Sequence, residues 1–159
     1  MSDPSQTYID RIEARAFSRA TEVPERVRTA LLTLFPEDIQ EHVILTEETT
    51  EGHHKNPIRI LNATLEHPFT DETSRFIFSH LTQSDMDSLL KTFERRIDED
   101  CTFFLRIDKQ AAYLGYIEMA MAPDVISLQI YIRKLPRCRP TDAKALIEHY
   151  ASFAGASPS

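Results

Sequence analysis

The sequence predicts a single α+β domain built on a mainly antiparallel sheet, with its helices packed on one side. Three observations lead there. Strict apolar/polar alternation runs through 8–18, 101–108 and 125–134, whereas the segments between the early and late strands carry helical spacing instead. The links between neighbouring strands are short, and short links join only antiparallel partners. The chain's 159 residues, 42% apolar and 27% charged, are enough for one core and ordinary for a globular protein.

In "YIDRIEARAFS", Ile12, Ala14 and Ala16 alternate with Arg11, Glu13 and Arg15, the pattern of a half-buried strand. A helix follows over 24–34, with Thr21 as a cap, Pro24 in the first turn, Val27, Ala30, Leu31 and Leu34 on one face, and Pro36 as the stop. "HVILTEETTEG" and "IRILNATLEH" read as two strands joined through Gly52–Pro57 in a hairpin-like unit. Thr70 is expected to cap a helix through 81, burying Phe76, Ile77 and Leu81. Ser84 is expected to cap another through 95, with Met86, Leu89, Leu90 and Phe93 as its apolar stripe. "CTFFLRID" places Cys101, Phe103, Leu105 and Ile107 opposite Thr102, Phe104, Arg106 and Asp108, and "VISLQIYIRK" repeats the pattern with Ile126, Leu128, Ile130 and Ile132 inward. Between them come a helical turn in "KQAAYL" ended by Gly115, a strand in "YIEMAMA" and a Pro123-Asp124 turn. A last helix over 141–153 is expected to be capped by Thr141. The domain is expected to span 8–154, with loose ends at 1–7 and 155–159.

Composition excludes several function classes. A net charge of −7 disfavours a general polyanion binder, because nonspecific nucleic-acid affinity comes from Lys and Arg releasing counterions. Any such site must be local. With only three glycines the chain builds neither a Walker nor a dinucleotide cradle. Gly-x-Ser-x-Gly and His-Glu-x-x-His are both missing from the sequence, so it offers neither common hydrolase pattern. Cys101 and Cys138 lie outside any Cys-x-x-Cys spacing, give no zinc or redox signature, and read as buried or idle thiols. The apolar region 111–132 is broken by Glu118, Pro123 and Asp124, so it reads as core strands rather than a membrane span. The amino terminus does not resemble a signal peptide, and a cytoplasmic protein is expected.

Charge is uneven along the chain. Residues 36–51 carry Glu37, Asp38, Glu41, Glu47, Glu48 and Glu51 with no Lys or Arg, whereas 131–144 carries Arg133, Lys134, Arg137, Arg139 and Lys144 against Asp142 alone. The second segment is either a local basic patch or a solvated strand end. In 94–115, Arg95, Arg96, Arg106 and Lys109 sit among Glu94, Asp98, Glu99, Asp100 and Asp108, a mixture that reads as ion-pair networks more than a bare anion trap. Phe104 and Arg106 share a face and pair a stacking surface with a guanidinium, the chemistry used on single-stranded RNA. Helices covering that face would make Phe104 core instead.

In "EGHHKNPIRIL", adjacent His53 and His54 point to opposite sides of an extended chain, so they do not chelate one metal together, and no nucleophile stands beside them for general-base work. Two readings stand. Gly52 and Asn56-Pro57 make a bend, or Lys55 supplies charge while the imidazoles and Asn56 contact phosphate or base.

"GHHKNPI" at 52–58 and "RIDEDCTFFLRIDKQAAYLG" at 96–115 together resemble a family of small archaeal proteins described as RNA-binding proteins or exosome subunits, over roughly 8–135. The resemblance implies a single α+β domain similar to the large-subunit ribosomal protein that binds 5S rRNA. It also implies RNA binding without catalysis, as an accessory of RNA processing or the exosome, with no cofactor and no metal. The candidate RNA-binding residues are His53, His54, Lys55, Asn56, Arg106, Lys109, Gln110, Arg133, Lys134 and Arg137. The competing reading is a protein adaptor that docks on an RNA-processing complex through the acidic 36–51 segment or a sheet edge. A hydrolase using His53 or His54 with Asp98 or Asp108 would need those groups in one pocket.

Overall fold

Among the described residues, five antiparallel strands form one sheet in the order β2-β3-β1-β5-β4. The computed structural model describes residues 7–51 and 57–156. The strands are β1 (Thr7–Ser18), β2 (Ile44–Glu51), β3 (Pro57–Glu66), β4 (Thr102–Asp108) and β5 (Val125–Lys134). The principal helices are α1 (Pro24–Thr33), α2 (Thr70–Ser79), α3 (Gln83–Lys91) and α6 (Pro140–Ala151), with the short α4 (Phe93–Arg96) and α5 (Lys109–Tyr113) flanking β4. Among the described residues no helix is long and apolar enough to cross a membrane.

Register decides which face is buried, because side chains alternate along each strand and neighbours across the sheet share a face. Leu65, Ile12 and Ile130 stand side by side, as do Ala63, Ala14, Leu128 and Leu105 one step along. All are buried, and Val27, Leu31, Phe35, Ile77, Phe78, Met86, Leu146 and Ile147 from the helical layer complete the same core. One sheet face therefore carries the helices and the other is left open.

Several local expectations change in detail. Val23, not Thr21, precedes α1, and Pro24 occupies its first turn without a side-chain cap. Thr70 lies inside α2, where its hydroxyl donates to the Ile9 carbonyl at 2.5 Å and ties the helix to β1. Thr82, rather than Ser84, caps α3: its Oγ1 accepts from the Asp85 N–H at 3.0 Å while Asp85 accepts from the Thr82 N–H at 3.2 Å. The helix expected to reach 95 stops at Lys91, and the chain turns at Thr92 into α4. Asp142 accepts from the Arg139 N–H at 3.0 Å at the start of α6, so Thr141 is not the cap. The segment 116–122 is not a strand. It touches the β4 edge through the Ile107–Met119 bridge, with Asp108 N–H donating to Glu118 and Ala120 N–H to Arg106.

The cysteines are also not idle thiols. Cys101 and Cys138 form a disulfide, their Cα atoms 6.3 Å apart despite a separation of 37 residues along the chain. Ile132 N–H donates to the Cys101 carbonyl at 3.0 Å, and this β4–β5 contact brings the loop after β5 against the turn before β4. Spacing rules miss a bridge of this kind because it joins elements that meet only in the fold.

Candidate nucleic-acid interface

The alternation that buries one face of the sheet puts a defined set of polar and aromatic side chains on the other. From β1 come Arg11, Glu13, Arg15 and Phe17; in register with them stand Tyr131, Gln129 and Ser127 of β5, and beyond these Thr102, Phe104 and Arg106 of β4. Phe17 is 50% exposed and Phe104 40%, so the helices do not cover this face.

The open face divides into two halves of different charge chemistry. Near one end the groups neutralise one another. Arg11 Nε lies 3.2 Å from Glu13, its guanidinium sits 4.3 Å over the Tyr131 ring, and Tyr131 donates to Glu13 at 3.0 Å. Burial, then the Glu13 carboxylate, pushes the Tyr131 phenol above its ordinary value.

The other half is a groove of about 590 Å³ with the sheet as its floor and α4 as its wall, lined by Thr92, Arg95, Arg96, Phe104, Arg106, Ser127 and Gln129. Phe93, at the first position of α4, is buried against Phe103 with ring centroids 5.7 Å apart. That anchor turns the following arginines outward over β4. Arg96 Nε donates to Thr92 Oγ1 at 2.8 Å, and its Nη1 lies 3.5 Å from the Phe104 carbonyl, which holds the guanidinium at the groove's edge. Burial first, then repulsion from Arg95 and Arg106, lowers the Arg96 guanidinium from its ordinary value. Arg95, Arg96 and Arg106 make no ion pair among the described residues, in contrast to the networks expected from their acidic sequence neighbours. Arg15 extends the positive row, with its Nε donating to Asn62 at 3.0 Å. Planar guanidinium groups of this kind match phosphate oxygens bidentately, and exposed rings offer stacking surfaces.

Two carboxylates of this stretch are occupied by backbone. Asp98 Oδ1 accepts from the N–H groups of Asp100 and Thr102 at 2.9 and 2.8 Å, and Asp108 accepts from Ala111 N–H at 2.8 Å as the cap of α5. Both shape turns rather than pairing with arginine. No group of three or more potential metal ligands occurs among the described residues.

The residues expected from sequence do not converge as a set. Arg106 lies in the groove. Lys109 is only 3% exposed, and its ammonium meets Glu22 and Asp124 at 2.8 Å each and donates to the Phe17 carbonyl at 2.9 Å; it belongs to the packing between α1 and α5. Gln110 donates to Asp124 at 3.1 Å. Lys134 is paired with Asp142 at 2.9 Å beside α6, both largely buried. Arg133 donates to the carbonyls of Asp100 and Ile132, both at 3.2 Å. It stands six residues along β5 from Ser127, roughly 20 Å from the Arg106 row by strand rise. Arg137 is exposed in the loop after β5. His53, His54, Lys55 and Asn56 lie outside the described residues. Arg95 and Arg96, the groove's wall, were missed as a site; the visible signal is their position just after Phe93, whose burial fixes which way they turn.

Fold and open face mark this chain as a small α+β domain that keeps its helices on one side of an antiparallel sheet and presents arginines and aromatic rings on the other. Among proteins of that kind, the family model described as RNA binding matches residues 11–132, and the chain belongs to this family. An RNA-binding protein of Pyrococcus abyssi is 36% identical over 141 residues, covering 86% of this chain and 90% of that one. Among solved structures, a DUF54-family protein of Archaeoglobus fulgidus superposes with a TM-score of 0.76 at 26% identity, covering 90% of this chain and 99% of its own. A DUF54 protein of Methanothermobacter thermautotrophicus gives a TM-score of 0.72 at 29% identity, covering 90% and 98%.

Proposed function

We propose that this protein binds RNA, without acting on it chemically, across the groove between α4 and the open sheet face. The observation that carries the reading is the cluster of Arg95, Arg96 and Arg106 beside exposed Phe104, with no carboxylate paired to any of the three among the described residues. On a chain of net charge −7 such a cluster is a local positive patch, and its unpaired guanidinium groups are free to attract an anion. Membership of an RNA-binding family and the name of the P. abyssi relative support RNA as that anion.

In this reading the three arginines contact phosphates, and Arg15 extends the track across the sheet. Arg133, Arg137 and the His53, His54, Lys55, Asn56 segment are proposed as further contacts. Lys109 and Lys134 are assigned to the fold rather than to RNA, because each already meets carboxylates at hydrogen-bond distance. An accessory place in RNA processing, with the exosome as one host, is the finer form of the proposal; the family resemblance supports it, and copurification before and after nuclease treatment tests it.

Filter binding at several salt concentrations tests the central reading. Arg95→Ala, Arg96→Ala and Arg106→Ala should each weaken binding to many RNAs alike. Each should also lower the slope of log affinity against log salt by about 0.7 to 0.9 for every phosphate that the variant no longer neutralises. Affinity and slope unchanged in all three variants would refute it.

A further inference from the structure

The groove also carries information about which form of RNA it accepts. Resting on the RNA-binding reading above, we infer that its ligand is single-stranded RNA, held with one unpaired base stacked on Phe104 and its flanking phosphates on Arg95, Arg96 and Arg106.

Phe104 is 40% exposed, although a phenylalanine on the other face of the same strand would be core. It makes no ring–ring or cation–π contact among the described residues, while Arg11–Tyr131, Phe93–Phe103 and Phe78–Tyr150 all pair elsewhere in the molecule. It forms part of the floor of the groove, and the Arg96 guanidinium is tethered above its own carbonyl. A flat apolar ring with cations at its rim suits a nucleobase, whose faces are apolar and whose backbone is anionic.

The same geometry disfavours a duplex. In a paired helix both faces of each base are already stacked on their neighbours, and the A-form major groove is too deep and narrow for side chains to read. A ring on the groove floor, flanked by α4, stacks on a base face only if that base is splayed out of its strand.

The register also supplies a path for the chain. Arg106, Ser127 and Arg15 stand in one row across β4, β5 and β1, which places the two arginines about 10 Å apart, two strand spacings, with only a small serine between them. Phe17 stands two residues further along β1 on the same face, 50% exposed. Phe104, Arg106, Arg15 and Phe17 thus follow one another as ring, cation, cation, ring across the open sheet. Two bases separated by one nucleotide have two phosphates between them, and a single strand of that spacing fits this order.

The chain has five tyrosines but no tryptophan, so Phe104→Trp introduces a single tryptophan, excited apart from the tyrosines, at the proposed stacking position. The ligands are a twelve-nucleotide single-stranded RNA of mixed sequence and the same strand annealed to its complement. We expect the single strand to bind at least tenfold more tightly than the duplex and to quench the emission of Phe104→Trp, with the duplex leaving that emission unchanged. Phe104→Leu should bind the single strand roughly tenfold more weakly with an unaltered salt slope, because stacking releases no counterions. Equal affinity for both ligands, or single-strand binding to Phe104→Trp without quenching, would overturn this inference while leaving RNA binding in place. If wild-type protein binds neither ligand at low salt, the RNA-binding reading falls with it. The tryptophan variant gives its answer even if the leucine variant folds poorly.

Discussion

Arg106 and Lys109 stand three residues apart where β4 meets α5, and the fold uses them for opposite purposes. Lys109 is buried, with its ammonium surrounded by Glu22, Asp124 and the Phe17 carbonyl. Arg106 lines a groove whose other charged groups are Arg95 and Arg96. Both sit among aspartates in the sequence, yet only the lysine meets carboxylates, and those come from the α1 entry and the β5 entry rather than from its sequence neighbours. Desolvation cost sorts the two cations. A buried ammonium requires partners, whereas an exposed guanidinium persists without them and stays available to a ligand.

Removing the buried member of the pair should have the largest effect. Lys109→Met leaves Glu22 and Asp124 facing one another without their shared cation. Breaking a fully buried pair costs about 3 to 5 kcal/mol, and the partial exposure of both acids brings the expected loss to about 3 kcal/mol in urea unfolding. RNA affinity of the folded fraction should not change. A variant as stable as wild type would show that Lys109 is not a structural cation.

Acid titration separates the same two roles. Burial alone would raise the Asp124 carboxyl, but hydrogen bonds from Lys109 and Gln110 outweigh it and hold the group below its ordinary value. A folded pKa below the unfolded one means the stabilisation is complete above the unfolded value of about 4 and is lost as pH falls through the folded value. The stability of wild-type protein should therefore fall more steeply below pH 4 than that of Lys109→Met, measured by urea midpoints across the acid range.

A control lies outside both regions. Thr82→Ala removes the cap of α3 and should cost about 1 kcal/mol while leaving RNA affinity intact. Any loss of binding with it would mean that general destabilisation, rather than the groove, governs affinity. The smallest stability effect belongs to the groove itself. Arg96→Gln relieves repulsion among three guanidinium groups, so its stability should stay within about 0.5 kcal/mol of wild type or rise, while RNA binding weakens. A clear loss of stability would place Arg96 with Lys109 rather than with Arg106.

Much of the architecture is legible in the residues. β1, β4 and β5 alternate so regularly that their buried faces can be read directly, and Val27, Leu31, Ile77, Met86 and Leu89 mark the helical faces by spacing. The "YIEMAMA" strand fails because Ile107–Met119 is the one bridge it makes to β4 among the described residues, so its composition suits a strand that the sheet edge does not extend. The caps shift by one or two residues because a threonine or serine near a helix start competes with its neighbours, and backbone geometry chooses among them. Phe104 and Arg106 could be assigned to one face from alternation. Arg95 and Arg96 could not be added to it, because their direction depends on Phe93 being buried under β4 and on the turn at Thr92.

Which side chains share a face was written into the order of residues, since strand and helix periods are local properties of the backbone. An apolar side and a polar, aromatic side of the sheet follow from that order alone. Which cations would be neutralised was settled by the folded arrangement, because a charge is paired by whatever crosses it in space. Glu22 and Asp124 reach Lys109, and Asp142 reaches Lys134, from segments that meet only when the helices close over one side of the sheet. That same closure leaves the opposite side uncovered, with three guanidinium groups around an exposed ring and no carboxylate paired to them among the described residues.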